Sequence, residues 1–479
     1  MPVSRLARDV AVLALASSLP SCVGLKVVIA GGGIGGLTLA NALTRQGGWD
    51  VKVLERATSA HLMGGPIQLA SNALGALREL DGDLFDELLT SCAPTAGRLN
   101  GLKLLETNEW LSRFDLNAPA ARRGLPPTVV VERPHLQQCL MRRLPAIVVH
   151  GAAVTHFDHL PDGRVRVHVR DAAGTEASEE ADILIGCDGI WSTVRGALLD
   201  EDVRASACYS GYHIFAGLCD LEADDAAAVG YTVHVERGRY FVTCDVGGGR
   251  TQWYAFVRLP EGEPPAPPEE RVAFLLRAFA GRPPGTNRLG GGDVSRKVSP
   301  QVARLLAATP STSIEQRRAY DRPPAMLAAL VGRGWTRGGV ALLGDAAHPM
   351  LPNLGQGGCQ AIEDALVLAQ EIGRMRERTR GRVADGGDGA VPAALRKYER
   401  RRLWRTAIVH GCSRIASDLL NFWPADGRFL QLIPQAWFLG ALRPSLRVLF
   451  PAQFEYLYSF ELATRQSGEV DEAAHAVGE

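Results

Sequence analysis

The stretch Lys26-Val-Val-Ile-Ala-Gly31-Gly-Gly33-Ile34-Gly35-Gly36 is a short apolar run that leads directly into a cluster of glycines. Helical spacing follows over residues 37–45, and a second apolar run, Val51-Lys-Val-Leu-Glu55, ends on an acid. A strand, a tight turn, a helix and a second strand in this order predict a βαβ unit. The pattern G-x-G-x-x-G at the turn is typical of a dinucleotide-binding site.

Each glycine of this pattern has its own physical task. Gly31 permits the tight turn, Gly33 lets the backbone approach a pyrophosphate, and Gly36 lets the helix pack closely on the sheet. The N-terminus of the helix offers unpaired N–H groups to the phosphates. Glu55 lies where a carboxylate would bond the adenosine ribose hydroxyls, and its charge would repel a 2′-phosphate. The site therefore suits FAD or NAD rather than NADP.

Two later strand ends decide between these cofactors. The apolar run 181–187 ends in Asp188-Gly, and the run 340–344 ends in Gly344-Asp345, after which Gly355-Gln-Gly357-Gly358 opens a helix. Asp345 can accept a hydrogen bond from a ribityl hydroxyl, and the amides of 355–358 can stabilise negative charge on a reduced flavin. A single Gly-Asp pair is more often an ordinary turn. The glycine turn after the first strand, Asp188-Gly and Gly344-Asp345 occur in this order, which favours one extended FAD lying across a sheet.

Composition limits the other classes of function. The 479 residues suffice for about two to three domains at roughly 150 residues each. The formal net charge is zero, so we expect no nucleic-acid partner. Nine cysteines occur without a CxxC pair or a Cys/His cluster, so we expect no metal site.

The motif order resembles that of flavoprotein aromatic hydroxylases and, more closely, that of plant zeaxanthin epoxidases. The segments that carry the resemblance lie between residues 25 and 415: 65–74, 123–126, 209–212, 252–256, Tyr320-Asp-Arg322 and 352–364. The resemblance implies an α/β fold: a Rossmann-like FAD-binding domain with an inserted, mainly antiparallel sheet as substrate domain, and C-terminal helices.

The expected organisation along the chain follows from this fold. Residues 1–24 carry Arg5 and Arg8 before a short apolar run, which is typical of a targeting segment, although a frayed terminus is the alternative. Residues 25–200 and 311–375 form the two parts of the FAD-binding domain, and residues 201–310 form the substrate domain. Residues 391–479 form a C-terminal helical region.

The resemblance also implies roles for individual residues. The ADP half of FAD is expected at Gly31, Gly33, Ile34, Gly35, Gly36, Glu55 and Arg56. Arg133 matches a cofactor-contacting arginine, Asp188 a motif linked to both FAD and NAD(P)H, and Asp345 the ribityl contact, with Gly355, Gly357 and Gly358 near the flavin ring. The flavin carries the chemistry in such enzymes. His348 is therefore either an acid or base or a structural hydrogen-bonding residue.

The activity implied is that of an FAD-dependent monooxygenase that uses NAD(P)H and O2. One oxygen atom passes through a flavin C4a-hydroperoxide to a lipophilic xanthophyll such as zeaxanthin. Two alternatives stay open: a hydroxylase of a small aromatic or urate-like acid, and a non-catalytic flavin or carotenoid binding protein. The expected location is the plastid, in the stroma or peripheral to a membrane. The aromatic C-terminal segment, which includes Phe454, either packs over the pocket or rests on that membrane.

Overall fold

The computed structural model describes residues 24–59, 66–144, 146–221, 229–236, 238–280, 298–322, 334–379, 389–421 and 452–460. The glycine-rich stretch 380–390 is a further segment that the sequence predicts to be a surface loop. Most of it, the expected targeting segment and most of the aromatic C-terminal segment lie outside the described residues.

Strands and helices alternate in the first third of the chain, and strands dominate the middle. The strands in chain order are β1 (Leu25–Ala30), β2 (Trp49–Glu55), β3 (Ile67–Leu69), β4 (Ala93–Pro94), β5 (Leu99–Leu104), β6 (Trp110–Phe114), β7 (Val129–Val131), β8 (Val148–His150), β9 (Ala152–His159), β10 (Val165–Asp171), β11 (Glu176–Ala181), β12 (Ile183–Gly186), β13 (Cys208–Cys219), β14 (Val229–Glu236), β15 (Arg239–Gly247), β16 (Arg250–Arg258), β17 (Glu315–Asp321), β18 (Thr336–Arg337) and β19 (Val340–Leu342). The helices are α1 (Ile34–Gln46), α2 (Ser71–Leu80), α3 (Gly82–Leu89), α4 (Ala118–Ala121), α5 (Arg133–Arg142), α6 (Thr193–Leu199), α7 (Arg271–Ala280), α8 (Pro300–Ala307), α9 (Gly357–Thr379) and α10 (Ala390–Asn421).

A six-stranded sheet with the order β18-β19-β12-β1-β2-β8 forms the cofactor half of the protein. All neighbours in it are parallel except β18 and β19. Val27, Val28 and Ile29 of β1 are fully buried, as expected of a central parallel strand covered on both faces. Helices α1 and α9 pack against each other beside this sheet. The predicted βαβ unit is therefore present, and the predicted fold class is confirmed.

A seven-stranded sheet with the order β17-β13-β16-β15-β14-β5-β6 forms the other half. It is antiparallel except for the pair β14 and β5. Successive side chains point to opposite faces of a strand. Phe241 and Trp253 therefore join a core with α7 and α8, whereas Tyr240 and Phe256 belong to the opposite face. Only some of the aromatic side chains of this sheet can therefore face a ligand.

The seven-stranded sheet does not follow the expected domain boundaries. Strands β5, β6 and β17 lie outside residues 201–310 and yet belong to this sheet. Side-chain periodicity predicts a strand but not its distant partner, so the boundaries drawn from the sequence missed these three strands.

Two smaller sheets and a long pair of helices complete the architecture. The strands pair in the orders β11-β10-β9 and β3-β7-β4. Helix α10 lies along α9 and reaches the seven-stranded sheet at β15 and β16. Among the described helices, none combines the length and the apolar character that crossing a bilayer requires.

Candidate cofactor and substrate site

Two positions in the turn between β1 and α1 admit only glycine. Gly31 has φ +110°, and a Cβ there would overlap the carbonyl of Cys187. A Cβ on Gly36 would overlap the carbonyl oxygen of Gly31. The turn and the close approach of helix to strand thus explain both glycines.

Gly33 differs from its neighbours because it borders open space. A Cβ at Gly33 would meet no protein atom within 4 Å, and the residue has extended backbone at φ −77° as the N-cap of α1. The first N–H groups of α1 have no partner within the helix. Open space at a helix N-terminus fits an anionic phosphate group.

Glu55 ends β2 and is held beside the glycine turn. Its carboxylate accepts hydrogen bonds from the amide nitrogens of Gly32 at 2.7 Å and Ala57 at 2.8 Å. With Arg56 and Arg133 it lines a cavity of about 560 Å³. An ionised carboxylate offers about four acceptor sites, so capacity remains for ribose hydroxyls.

A second cavity, of about 450 Å³, adjoins the first one. Gly33 and Arg133 line both cavities. The second cavity is also lined by Ile34, Gly35, Asp345, Gly355, Gly357 and Gly358. The structure thus brings most of the predicted residues, from separate chain segments, onto one continuous path, which fits an extended dinucleotide. Gly31, Gly36 and Asp188 line neither cavity.

Asp345 faces this second cavity from the turn after β19. A Cβ on Gly357 would lie 3.8 Å from its Oδ1. Burial raises the pKa of this carboxyl, against the opposing charges of His348, Arg133 and Arg317. Asp345 is accessible from the cavity, and an acid with this much nearby positive charge is suited to accept a hydrogen bond from a polyol.

The N-terminus of α9 points its dipole at the same cavity. Gly355 has φ +62°, and α9 begins at Gly357 and runs for 23 residues. The partial positive charge at a helix N-terminus favours negative charge nearby. The arrangement therefore suits a flavin ring that becomes anionic on reduction.

Arg133 supplies an independent test of the fit to a cofactor. It is the first residue of α5, and its buried Nε has no hydrogen-bond partner within the described chain. An unpaired buried donor is costly, so such a group in a cavity wall indicates a missing acceptor. A pyrophosphate oxygen has the chemistry required of that acceptor.

Asp188 has a different immediate role from the other predicted residues. Its Oδ2 accepts from the amide nitrogens of Thr193 at 2.7 Å and Val194 at 3.3 Å, at the start of α6. Burial raises its pKa. Its neighbours Cys187 and Gly189 line the second cavity, whereas Asp188 lines neither cavity. Its contact with FAD and NAD(P)H stays a prediction.

His348 is buried away from both cavities. Its Nε2 lies 2.6 Å from Asp364 Oδ2, and the same carboxylate accepts from Gly344 N at 2.9 Å. Arg402 Nε bonds the other oxygen of Asp364 at 2.6 Å. The geometry favours the structural alternative for His348, because this network fixes the turn that carries Asp345.

Sequence reasoning missed several residues of the site. Asp364 ends the segment 352–364 but received no role from the sequence, and Arg402 lies in a helix without a recognised motif. Arg317 of β17 lines the second cavity, and no hydrogen bond or ion pair holds it within the described residues. The only signal for Arg317 was its place three residues before the Tyr320-Asp-Arg322 segment.

Comparison with known proteins agrees with this geometry. A family model described as an FAD binding domain matches residues 24–286 and 295–402. The chain belongs to this FAD-binding domain family. FAD is therefore the cofactor of the site, and the predicted cofactor is confirmed.

Relatives of this FAD-binding domain protein include plant enzymes. It is 39% identical over 408 residues to the chloroplastic zeaxanthin epoxidase of Solanum lycopersicum, covering 84% of this chain and 55% of that protein. The corresponding protein of Prunus armeniaca is 38% identical over 407 residues, with 84% and 56% covered. The chain thus spans little more than half the length of these relatives.

A solved structure shows the same fold around FAD. The Klebsiella pneumoniae protein HpxO, complexed with FAD and uric acid, superposes with a TM-score of 0.71 at 26% identity. The alignment covers 90% of this chain and 96% of HpxO.

Proposed function

We propose that this FAD-binding protein is a monooxygenase that uses NAD(P)H and O2 to epoxidise a xanthophyll such as zeaxanthin. One observation carries the proposal: the second cavity joins the cofactor residues Asp345 and Gly358 to the aromatic face of the seven-stranded sheet. In the overall reaction one oxygen atom enters a carbon–carbon double bond, the other leaves as water, and NAD(P)H is oxidised.

The wall opposite the cofactor residues is mainly apolar. Ile214, Val233 and Val242 line it, and the rings of Tyr240 and Phe256 stack with centroids 4.0 Å apart. Such a surface accepts the ring of an isoprenoid substrate and keeps water from the reacting atoms. The wall therefore supports a lipophilic substrate.

Asn353 ties this wall to the cofactor side. Its Nδ2 donates to the hydroxyl of Tyr240 at 2.7 Å, and its Oδ1 accepts from the hydroxyl of Tyr212 at 3.3 Å. Because Asn353 lies two residues before Gly355, these bonds fix the turn before α9 against the sheet. We assign Asn353 the role of a positioning residue.

The remaining polar residues suit the two ends of the cofactor. When bound, FAD supplies the redox and oxygen-transfer chemistry. Arg133 and the N-terminus of α1 hold its pyrophosphate, Glu55 its adenosine ribose and Asp345 its ribityl chain. Since FAD fills the glycine turn, NAD(P)H binds transiently at another place on the same face.

A second candidate is hydroxylation of a small anionic aromatic compound. Arg317 favours it, because an unpaired guanidinium in the cavity wall could anchor a carboxylate or urate-like anion. HpxO, whose structure contains uric acid, shares the fold. The apolar wall is the reason for preferring the xanthophyll.

One experiment separates the two candidates. The FAD-loaded protein is reduced anaerobically with NADPH in the presence of zeaxanthin, urate or neither, then exposed to O2, and the products are analysed by chromatography. The proposal expects a zeaxanthin epoxide and an unchanged urate. Consumption of urate with intact zeaxanthin would instead support the second candidate, and Arg317→Met should then abolish that turnover.

The proposal includes a plastid location and contact with a membrane surface, where carotenoids dissolve. The curated relatives are chloroplastic. Trp404, Ile408 and Ile415 lie on one side of α10 and are 57%, 44% and 62% exposed. An apolar stripe on an amphipathic helix can rest in the headgroup region.

Vesicle binding tests this contact. Anionic phospholipid vesicles should cosediment with the protein, and replacing Trp404, Ile408 and Ile415 by serine should remove most of that binding. FAD content is the control, because all three side chains are exposed and lie outside both cavities. Equal binding by the variant would contradict a role for α10.

A further inference from the structure

The solvent face of the three-stranded sheet carries a pair of histidines that are distant in sequence. His156 of β9 and His168 of β10 are directly opposite each other in the antiparallel register. Their rings stack with centroids 3.8 Å apart and planes within 7°. Neither residue lines the cofactor cavities.

Asp158 completes a group of three. It follows His156 by two residues, so strand alternation puts both side chains on the same face. Its Oδ2 lies 2.8 Å from Nε2 of His168. One ligand atom from each of the three residues lies within 4.8 Å of the other two.

We propose that His156, Asp158 and His168 bind a divalent transition-metal ion of the Zn²⁺ type. Two imidazoles and one carboxylate match the ligand preferences of Zn²⁺, Cu²⁺ and Ni²⁺, whereas Mg²⁺ and Ca²⁺ prefer oxygen ligands alone. With metal–nitrogen bonds of about 2.1 Å, small rotations of these exposed or partly exposed side chains bring the ligand atoms to coordination distance. Water fills the remaining position.

The charges around the site permit a cation. Arg166 and Arg170 flank His168 on β10, but Arg166 bonds Glu180 at 3.1 Å and Arg170 bonds Glu176 at 2.7 Å. An exposed carboxylate such as that of Asp158 is ionised at neutral pH. The two arginines are thus balanced by their own partners, and Asp158 contributes its charge to the ion.

The sheet also holds the ligands in place before a metal arrives. Phe157, Val165 and Val167 on the opposite face of β9 and β10 are buried in the main core. The two strands therefore cannot slide past each other without exposing these side chains. This site differs from the sequence-based expectation of no metal, because its histidines are twelve residues apart and meet only through strand pairing.

Isothermal titration of the tag-free, FAD-loaded protein with Zn²⁺, after chelator treatment and desalting, tests the proposal. We expect saturable binding of one Zn²⁺ per chain. His168→Gln should weaken it by about 100-fold or more, since residues that merely orient a ligand already cost about 10–100-fold. Asp158→Asn should also weaken Zn²⁺ binding. Cu²⁺ bound to the wild type should show two nitrogen ligands by electron paramagnetic resonance.

His159→Gln is the matched control, because His159 lies on the same strand with its side chain on the opposite face. It should leave Zn²⁺ affinity unchanged. FAD content and the thermal midpoint without metal verify that each variant is folded. Absence of saturable binding in the wild type, or equal affinity in wild type, His168→Gln and Asp158→Asn, would overturn the proposal.

Discussion

At the scale of single residues, the proposed contact between Asp345 and the ribityl chain is tested by removing the charge of Asp345. We predict that Asp345→Asn, which keeps the size but removes the charge, raises the dissociation constant of FAD by about 10- to 100-fold. A hydrogen bond to a charged group contributes about 1.5–3 kcal/mol. Fluorescence titration of the apoprotein with FAD measures the change.

Asp50→Asn, at the exposed start of β2, is the control and should leave FAD affinity as it is. Because burial raises the pKa of Asp345, its carboxyl takes up a proton above the usual pH of 3.8. The wild type should therefore lose FAD affinity as the pH is lowered, and the variant should lose less. Equal affinity of the two proteins at neutral pH would remove Asp345 from the site.

At the scale of elements, two glycines of the turn between β1 and α1 should affect different properties, Gly33 the binding of FAD and Gly36 the stability of the fold. Gly33→Ala should keep the thermal midpoint of the FAD-free protein and lose FAD binding, because its Cβ would meet no protein atom but would enter the space assigned to the pyrophosphate. Gly36→Ala should instead destabilise the protein by about 1–3 kcal/mol, because its Cβ overlaps the carbonyl of Gly31. Thermal unfolding and FAD titration of both variants distinguish the two effects. A folded Gly33→Ala with normal FAD affinity would contradict the placement of the phosphates.

The junction of α9 and α10 should make the protein sensitive to acid. Burial alone would raise the pKa of Asp364, but the charges of His348 and Arg402 outweigh it and lower the pKa to about 2. A depressed folded-state pKa contributes stability above the ordinary value of 3.8, which is lost as the pH falls through about 2. We expect this carboxylate to contribute about 2 kcal/mol.

Denaturant unfolding between pH 6 and the lowest pH at which the fold persists measures this contribution. Asp364→Asn should be less stable at pH 6, because it leaves Arg402 short of a buried partner. Its stability should nevertheless fall less steeply below pH 4 than that of the wild type. Parallel curves would mean that other groups dominate the acid response.

At the scale of the whole molecule, the residues proposed to bind FAD come from segments that are far apart in the chain, so FAD should stabilise the fold as a unit. A ligand at about 100 times its dissociation constant adds roughly 2.7 kcal/mol. We predict that FAD raises the thermal midpoint and is released intact on denaturation. FMN, which lacks the part expected beside Glu55 and Arg56, should raise the midpoint much less. An equal effect of FMN would mean that the Glu55 cavity is unused.

The features of this molecule that could be predicted from the sequence are those that depend only on residues close together in the chain. The turn at Gly31 and the strand ending in Glu55 follow from local pattern alone. The participation of β5 in the seven-stranded sheet could not be predicted, because it depends on pairing with β14, more than a hundred residues later. The hydrogen bond between His348 and Asp364 could not be predicted either, since the two residues lie on different elements.

The seven-stranded sheet also has a consequence for how the protein is made. Its strands come from residues 99–114, 208–258 and 315–321, and β17 at one edge is the last to be synthesised. A sheet with such distant pairings has a high contact order and forms slowly. During synthesis on the ribosome, the pair of β5 and β6 therefore keeps one edge without a partner strand until β14 has emerged. The seven-stranded sheet accordingly cannot be moved into another protein as one contiguous segment. A chaperone that shields the unpaired edge of β5 would act before β14 has been synthesised.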